Sequence, residues 1–302
     1  MAGNSDFLTQ VPPFLTDGKD EFCRVSEQET HRGKYRNLSV RIKENVVFIT
    51  GSLCKFYYGD NLQVLDRVRT KDAIMMLSDG LHIPVYDAKV LRIDVGMNLL
   101  MNYEVPYYFP FLGQSPPLDR LEQNNGIYYR GCKGGILLYD KLAEHKLKGG
   151  DIPEVLNESN LLRIESKFNR RIYQQFNVPE VKASALYDRE FYKKIIKRCG
   201  DNYFNINKYK VPNIKFNYTK MKYFDKQIWL IAINAVGGEE KMIRIIEQAR
   251  RKGEFTSRTK VKRYKDKIRE VCTTPQLSFE SPQIIELDEK VREAVNRNIQ
   301  LL

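Results

Sequence analysis

The sequence predicts an α+β fold in which an antiparallel sheet platform is flanked by helices and followed by a basic, mainly helical module. Three short segments alternate apolar and polar residues, as strands with one buried face do. From about residue 224 onward, helical periodicity and a strong positive charge take over. We therefore expect an N-terminal arm at 1–35, a sheet domain at 36–205 and a basic helical module at 206–302.

The individual elements are predicted in chain order from periodicity and from cap or turn residues. The polar segment 1–35 is typical of a loosely ordered arm. β-branched runs at 38–42 and 46–50 predict a hairpin, and Thr70 and Gly80 delimit a helix. Further strands are predicted at 89–100, around Tyr139 and at 161–169, and further helices at 188–199, 225–236, 239–252, 257–271 and 286–302.

The three alternating segments carry chemically active side chains on their polar faces. The first presents Asp94, the second presents Tyr139 together with Lys141, and the third presents Glu165. If these faces converge, they bring together a tyrosine, a lysine and two carboxylates. This set suits metal-assisted attack of a tyrosine oxygen on a phosphodiester.

Each of these residues has a plainer alternative role. Tyr139 is of a type that most often packs half-buried in a sheet, and Lys141 fits a solvated strand end. Asp94 and Glu165 are equally suited to pair with arginines on neighbouring strands. In the catalytic alternative, Lys141 stabilises developing negative charge and the two carboxylates bind a hard cation.

The small number and the spacing of the histidines and cysteines limit which metal ion the predicted site could bind. None of the three histidines lies two positions from another, so the paired-histidine motif of many single-strand DNA nickases is absent. The five scattered cysteines offer no Cys-x-x-Cys pair, which indicates reduced thiols and no zinc site. Carboxylates would therefore hold any metal, and they favour Mg²⁺ or Mn²⁺.

The charge indicates an anionic partner. The net charge is +12, and segment 241–271 alone holds twelve Lys or Arg and four Asp or Glu. Nucleic acid fits better than a membrane, because the longest uncharged stretch, 105–118, is too short and too rich in proline to span a bilayer. The N-terminal residues lack a signal-peptide pattern, which indicates a cytoplasmic protein.

Several cations are candidates for contact with DNA. Arg92 and Arg163 flank the two carboxylates and either clamp a phosphodiester or orient the acids. Lys55 precedes three aromatic residues that suit stacking on unpaired bases, although core packing explains them equally well. In the helical module, the candidates for phosphate contact are Lys260, Lys262, Arg263 and Lys265.

Five sequence motifs carry a family resemblance. They are Arg-Ile-Asp at 92–94, Tyr-Asp-Lys-Leu-Ala-Glu at 139–144, Arg-Ile-Glu at 163–165, the basic stretch 169–179 that ends in proline, and Lys-Phe-Tyr-Tyr-Gly-Asp-Asn-Leu at 55–62. In order and spacing they resemble the replication initiators of filamentous phages, the gene II product and its relatives in phages and plasmids. The chain departs from that pattern at Asp60, where the family often has histidine.

The resemblance implies a rolling-circle initiator. Such proteins nick one strand of a supercoiled origin, link a tyrosine to the 5′-phosphate, and later re-join the displaced strand. It makes 36–205 the nicking and joining domain, with Tyr139 as nucleophile. The implied partners are single-stranded and supercoiled origin DNA and a host helicase, in the cytoplasm of a bacterial host.

Two rival functions remain open from the sequence. Glu165-Ser166-Lys167, with Asp94, also matches the core of a restriction-type nuclease, which hydrolyses DNA without a tyrosine. A DNA-binding regulator that kept the fold without the chemistry is the second rival. Only the initiator forms a covalent adduct between protein and DNA.

Overall fold

Antiparallel sheets and several helices make up the fold, which confirms the predicted α+β class. The structure is a computed structural model, and it describes residues 10–23, 28–43, 46–213, 215, 220–274 and 277–300. Among these residues, no helix has both the length and the apolar character needed to cross a bilayer.

The first sheet is an antiparallel meander of four strands in chain order, β1 (Thr16–Cys23), β2 (Gln28–Tyr35), β3 (Leu38–Lys43) and β4 (Val46–Thr50). The predicted hairpin forms β3 and β4, whereas β1 and β2 lie where the sequence predicted a loosely ordered arm. These two strands lack apolar alternation, and β2 is held by its backbone ladder to β3, in which Gly33 pairs with Val40. Residues 1–9 and 24–27 of the predicted arm lie outside the described residues.

The second sheet has five antiparallel strands in the order β5-β9-β8-β7-β6. They are β5 (Ile93–Met101), β6 (Asp119–Gln123), β7 (Gly126–Arg130), β8 (Gly134–Asp140) and β9 (Asn160–Phe168). The three alternating segments of the sequence form β5, β8 and β9, which are direct neighbours. One face of this sheet is apolar and buried, with Met97, Ile164 and Leu138 aligned across the three strands.

Nine α-helices lie in the described residues: α1 (Leu53–Tyr58), α2 (Arg67–Leu81), α3 (Lys141–Leu147), α4 (Ile172–Gln175), α5 (Arg189–Phe204), α6 (Met221–Ala235), α7 (Glu239–Arg251), α8 (Arg258–Thr273) and α9 (Pro282–Gln300). Short 3-10 helices occur at Pro12–Phe14, Val85–Asp87, Val105–Phe111, Glu154–Leu156 and Ala183–Tyr187.

Helix α2 covers the four-stranded sheet and is longer than predicted. Its cap is Asp66, whose carboxylate accepts a hydrogen bond from the Arg69 backbone N–H at 2.8 Å. Thr70, the predicted cap, instead donates its hydroxyl proton to the Asp66 carbonyl within the first turn. Gly80 does not end the helix, which closes at His82 in a left-handed conformation.

Helices α5 and α9 pack on the apolar face of the five-stranded sheet. Ile284, Leu287 and Val291 of α9 are at most 2% exposed and belong to the same core as the sheet. The boundary predicted at 206 therefore divides the chain differently from the structure, since α9 belongs with the sheet domain. An amphipathic pattern identifies a helix but does not say which surface it covers.

The basic helices form an insertion between α5 and α9, which we call the inserted lobe (211–279). Its two ends meet in a short ribbon, where β10 (Val211–Pro212) pairs with β11 (Ser278–Phe279). Helices α6, α7 and α8 lie between them and enclose a small core of their own, made of Leu230, Ile233, Ile268, Val271 and Leu277.

Candidate active site

The face of the five-stranded sheet opposite α5 and α9, which we call the polar face, brings the predicted site residues together. On β9, Glu165 lies opposite Gly96 of β5 and Leu137 of β8. Asp94 of β5 lies opposite Lys167 of β9. The register therefore places Asp94, Glu165 and Tyr139 on three adjacent strands and on one side of the sheet.

Tyr139 donates a hydrogen bond directly to Glu165. Its hydroxyl lies 2.7 Å from Glu165 Oε1, and its side chain is 8% exposed. Burial, followed by the negative charge of Glu165, raises the pKa of the Tyr139 phenol well above its usual range. The phenol is thus protonated at neutral pH, and Glu165 is in position to accept its proton.

The second oxygen of Glu165 and the carboxylate of Asp94 converge on Lys167. The Lys167 ammonium lies 3.3 Å from Glu165 Oε2 and 3.8 Å from Asp94 Oδ2. Asp94 also accepts two hydrogen bonds from Arg92, at 2.8 and 2.6 Å. Two carboxylates that reach one cation are the donor set with which proteins hold Mg²⁺, alongside water and substrate phosphate oxygens.

The chemistry of these groups therefore fits a hard divalent cation, with Asp94 and Glu165 as its ligands. In the described residues, no group of three or more His, Cys, Asp or Glu side chains gathers to form an all-protein metal cage. A magnesium ion that also binds substrate phosphate requires only one or two carboxylates. The metal assignment of these two residues stays a prediction.

Lys141 contacts Glu144 and Asn61 rather than the Tyr139 oxygen. Strand β8 ends at Asp140, which caps α3 by accepting a hydrogen bond from the Ala143 N–H at 2.9 Å, so Lys141 begins a helix instead of continuing the strand. Its ammonium is buried, 2.6 Å from Glu144 Oε2 and 2.9 Å from Asn61 Oδ1. Burial lowers the pKa of Lys141.

Lys141 nevertheless lies beside the nucleophile candidate, since its ammonium is 5.9 Å from the centroid of the Tyr139 ring. The ion pair also affects Glu144: burial opposes ionisation, but Lys141 and Lys148 outweigh it and lower the pKa of Glu144. Lys141 thus holds the start of α3 through two hydrogen bonds within the protein, and its catalytic role stays a prediction.

Arg163 is also used within the protein. The side chain is 4% exposed and donates to Asn98 Oδ1 at 2.7 Å and to the carbonyls of Leu62 and Gln63 at 3.2 and 3.1 Å. These contacts fasten the segment 60–64, which we call the strap, across the polar face. Arg163 is thus buried among partners within the protein, whereas Arg92 is 58% exposed, and contact of either residue with DNA stays a prediction.

The strap also contains Asp60, the position at which the chain departs from the family pattern. Asp60 Oδ1 accepts a hydrogen bond from the Leu62 N–H at 2.8 Å, so the carboxylate orders the turn of the strap. Leu62 packs against Leu142 and Leu161 and anchors the strap in a small apolar cluster. Lys55, on α1, is exposed, whereas the next residue, Phe56, is buried.

The cations predicted in the inserted lobe divide into two groups. Lys260, Lys262 and Arg263 are exposed on α8, and they form no ion pair with any described residue. Lys265 instead pairs with Glu247 of α7, and together with Arg250 it lowers the pKa of Glu247 to about 2. Lys265 thus links two helices of the lobe.

Sequence reasoning left Lys167 out of the predicted initiator site. Its signal was the Glu-x-Lys spacing, because residues two apart on a strand share a face. In the sequence, that spacing indicates only the rival restriction-type nuclease. The structure shows that this lysine is the residue that contacts both carboxylates.

A sequence profile of the family described as the N-terminal region of the replication-associated protein encoded by filamentous-phage gene II matches residues 23–190. The match covers more than half of the chain, including the polar face, the strap and the start of α5. The chain therefore belongs to this family, which confirms the predicted resemblance.

Among curated proteins, no match was found. The family is one of phage replication initiators, typically nuclease-like nickases, and membership supports a role in rolling-circle replication and implies DNA binding.

Proposed function

We propose that this protein initiates rolling-circle replication by nicking one DNA strand at an origin through Tyr139 and later re-joining it. The observation that carries the proposal is the 2.7 Å hydrogen bond from the Tyr139 hydroxyl to Glu165, on a face that also presents Asp94. A tyrosine with an adjacent general base is the arrangement that covalent catalysis by an oxygen nucleophile requires.

In the nicking step, the Tyr139 oxygen attacks the phosphorus of the scissile phosphodiester. Its proton passes to Glu165 Oε1, the bond from phosphorus to the 3′ oxygen breaks, and the 3′ oxygen leaves as a hydroxyl after taking a proton from solvent. The products are a 5′-phosphotyrosine and a free 3′-OH. Re-joining runs in reverse: a 3′-OH attacks the phosphotyrosine, and Tyr139 recovers its proton from Glu165.

Asp94 and Glu165 would hold Mg²⁺ or Mn²⁺, which neutralises negative charge on the phosphate when bound. The two oxygens of Glu165 face different partners, because Oε1 accepts from Tyr139 whereas Oε2 faces Lys167. One carboxylate therefore has an oxygen for the proton and another for a cation. Arg92 keeps Asp94 oriented through two hydrogen bonds and remains exposed enough to contact a DNA phosphate.

The inserted lobe supplies a second DNA contact in this proposal. The exposed cations Lys260, Lys262 and Arg263 lie on one helix and are available to phosphates. The lobe joins the sheet domain through the β10–β11 ribbon. Duplex binding by the lobe would therefore be separable from cutting at the polar face.

The Tyr139→Phe variant tests the nucleophile. The change removes one oxygen and little volume, so we expect folding and DNA affinity close to wild type but no cleavage and no covalent adduct. The assay is incubation with end-labelled single-stranded origin DNA and Mn²⁺, followed by a denaturing gel.

Tyr128→Phe is the matched control, because it removes the same hydroxyl from a tyrosine on the same face of the sheet. Tyr128 lies on β7, and its ring packs over Gly135 on the polar face. This variant should still form the adduct. An adduct that persists in Tyr139→Phe would refute the assignment, and mapping the linked peptide would then identify the nucleophile.

One observation favours a second candidate, a hydrolytic nuclease. The Lys167 ammonium lies 3.8 Å from Asp94 Oδ2 and 3.3 Å from Glu165 Oε2, so the three residues that would form the catalytic set of a restriction-type nuclease are in contact. In that case DNA is cut by water, Tyr139→Phe still cuts, and no adduct appears. A regulator without chemistry would bind DNA but give neither product.

A further inference from the structure

The Lys167 ammonium occupies the position between the two carboxylates that a divalent cation would take. It contacts Asp94 Oδ2 at 3.8 Å and Glu165 Oε2 at 3.3 Å, and its side chain is only 17% exposed. An ammonium and a metal ion that need the same oxygens exclude each other.

Lysine is suited to leaving such a position. Its charge is compact and sits on a stem of four flexible carbons, so the ammonium can move several ångströms without a change in the backbone. Its cross-strand neighbour on β8 is Gly135, which has no side chain to pair with it. The carboxylates are thus the only acidic groups of the described residues that bind Lys167.

We propose that Lys167 is the resident counter-ion of Asp94 and Glu165, and that it gives way to a divalent cation when a DNA phosphodiester enters the site. This inference rests on the proposed metal site. In the free protein, Lys167 keeps the two carboxylates from repelling each other and weakens metal binding. On the DNA complex, the released ammonium pairs with the phosphodiester.

Charge balance explains why DNA and metal would enter together. Asp94 and Glu165 carry two negative charges, whereas Lys167 and a divalent cation together carry three positive charges, so the single negative charge of a phosphodiester balances the site. Metal alone would meet the ammonium at close range, whereas metal with DNA would not. By thermodynamic linkage, DNA then tightens metal binding, and metal tightens DNA binding by the same factor.

Titration calorimetry with Mn²⁺ alone tests the proposal on the full-length protein. Lys167→Met keeps an unbranched side chain only one atom shorter and removes the charge. It should lower the Kd for Mn²⁺ by roughly tenfold or more, because a positive charge about 4 Å from a divalent ion is removed. Lys167→Met should also show a larger rise in Tm on addition of Mn²⁺ than wild type. Equal Kd values for the two proteins would overturn the proposal.

Lys71→Met is the matched control, since Lys71 is exposed on α2 and the charge change is the same. It should leave the Kd for Mn²⁺ near wild type. A decrease as large as that of Lys167→Met would show that net charge alone sets the affinity, which also overturns the proposal. Lys167→Gln provides a second neutral variant if Lys167→Met does not fold.

Short oligothymidylate tests the coupling in the Tyr139→Phe background, in which no cutting can interfere. It should tighten Mn²⁺ binding when Lys167 is present and have a much smaller effect in Lys167→Met. An equal effect in both proteins would count against the exchange. If Glu165→Gln leaves Mn²⁺ binding unchanged, the proposed metal site itself has failed, and that result is distinct from failure of the lysine exchange.

Discussion

The phenol of Tyr139 is kept protonated by the same surroundings that place it in the site. Burial disfavours the phenolate, and the nearby charge of Glu165 disfavours it further. In the proposed reaction, Tyr139 would have to lose this proton during the attack, and Glu165 Oε1, 2.7 Å from its hydroxyl, would accept it. At the scale of single residues, the structure shows a protonated tyrosine next to a carboxylate.

This protonation has a consequence for stability at alkaline pH. Tyr139 ionises near pH 10 in the unfolded chain but only at higher pH in the folded protein. The contribution of its neutral phenol to the free energy of unfolding is therefore fully present below about pH 10 and is lost as the pH rises above that value. Relative to wild type, Tyr139→Phe should therefore gain up to about 1.4 kcal/mol in free energy of unfolding for each pH unit above about 10. Urea denaturation of both proteins at about pH 8 and about pH 11 measures this, and an unchanged difference would contradict the burial of the phenol.

The two carboxylates should both be essential for cutting. Asp94→Asn and Glu165→Gln remove negative charge without a change in size, and each should abolish cleavage, as should EDTA. Asp119→Asn is the control, because Asp119 lies on the same cross-strand row at the far edge of the sheet and is exposed. Full cleavage in EDTA would mean that Asp94 and Glu165 serve only as ion-pair partners of Arg92 and Lys167.

At the scale of elements, α8 has two halves with different electrostatic roles. The cations of its second half pair with acids, Lys265 with Glu247, Lys267 with Glu270 and Arg269 with Asp266. The cations of its first half are exposed and carry no ion pair to a described residue. The first half is therefore the part of the helix that is available to DNA.

Replacement of Lys260, Lys262 and Arg263 by Ala should weaken duplex binding and flatten its salt dependence. Loss of three phosphate contacts would reduce the slope of log K against log salt by roughly 3 units on B-DNA. Fluorescence anisotropy with a labelled duplex at several salt concentrations measures the slope.

The matched control replaces the paired cations Lys265, Lys267 and Arg269, which removes the same charge from the same helix. Its slope should change less. If the slope of log K against log salt falls equally in the two triple variants, net charge alone determines duplex binding, and the lobe has no defined contact surface. Cleavage of a short single-stranded oligonucleotide should survive in both variants.

The elements that alternation encodes were predictable from sequence, and those that depend on distant packing were not. Strands β5, β8 and β9 follow from apolar and polar alternation, and their polar faces meet because the strands are neighbours. Lys141 and Arg163 were predicted to serve chemistry, but their partners, Asn61 and the Leu62 carbonyl, belong to a strap about 80 to 100 residues earlier in the chain. No local sequence pattern predicts a contact between residues so far apart in the chain. The roles of Tyr139 and the carboxylates stay predictions.

At the scale of the whole molecule, the sheet domain is built from two separate stretches of chain. Helix α9 follows the inserted lobe and returns to the apolar face of the sheet, where Tyr108 donates a hydrogen bond to Glu286 at 2.5 Å. The family profile ends at residue 190, so α9 lies beyond the matched segment. Deletion of the inserted lobe alone therefore leaves the core of the sheet domain complete, whereas deletion of the C-terminal third also removes α9 from that core.

Truncation after residue 205 should destabilise the sheet domain by about 5 kcal/mol or more, because it takes away three fully buried side chains, Ile284, Leu287 and Val291. Replacement of 213–277 by a short Gly-Ser linker keeps α9 and should leave a folded domain. Thermal denaturation followed by circular dichroism compares the two proteins. A truncated protein as stable as the full chain would show that α9 is dispensable to the core.

The position of α9 also matters while the protein is being made. The ribosome adds Asp94, Tyr139 and Glu165 early, but the apolar face beneath them is covered only in part, by α5, until residues 282–300 emerge. A stalled or prematurely terminated product thus carries the reactive groups without a finished core to hold them. Translation order would in this way delay the proposed nicking activity until α9 has been synthesised.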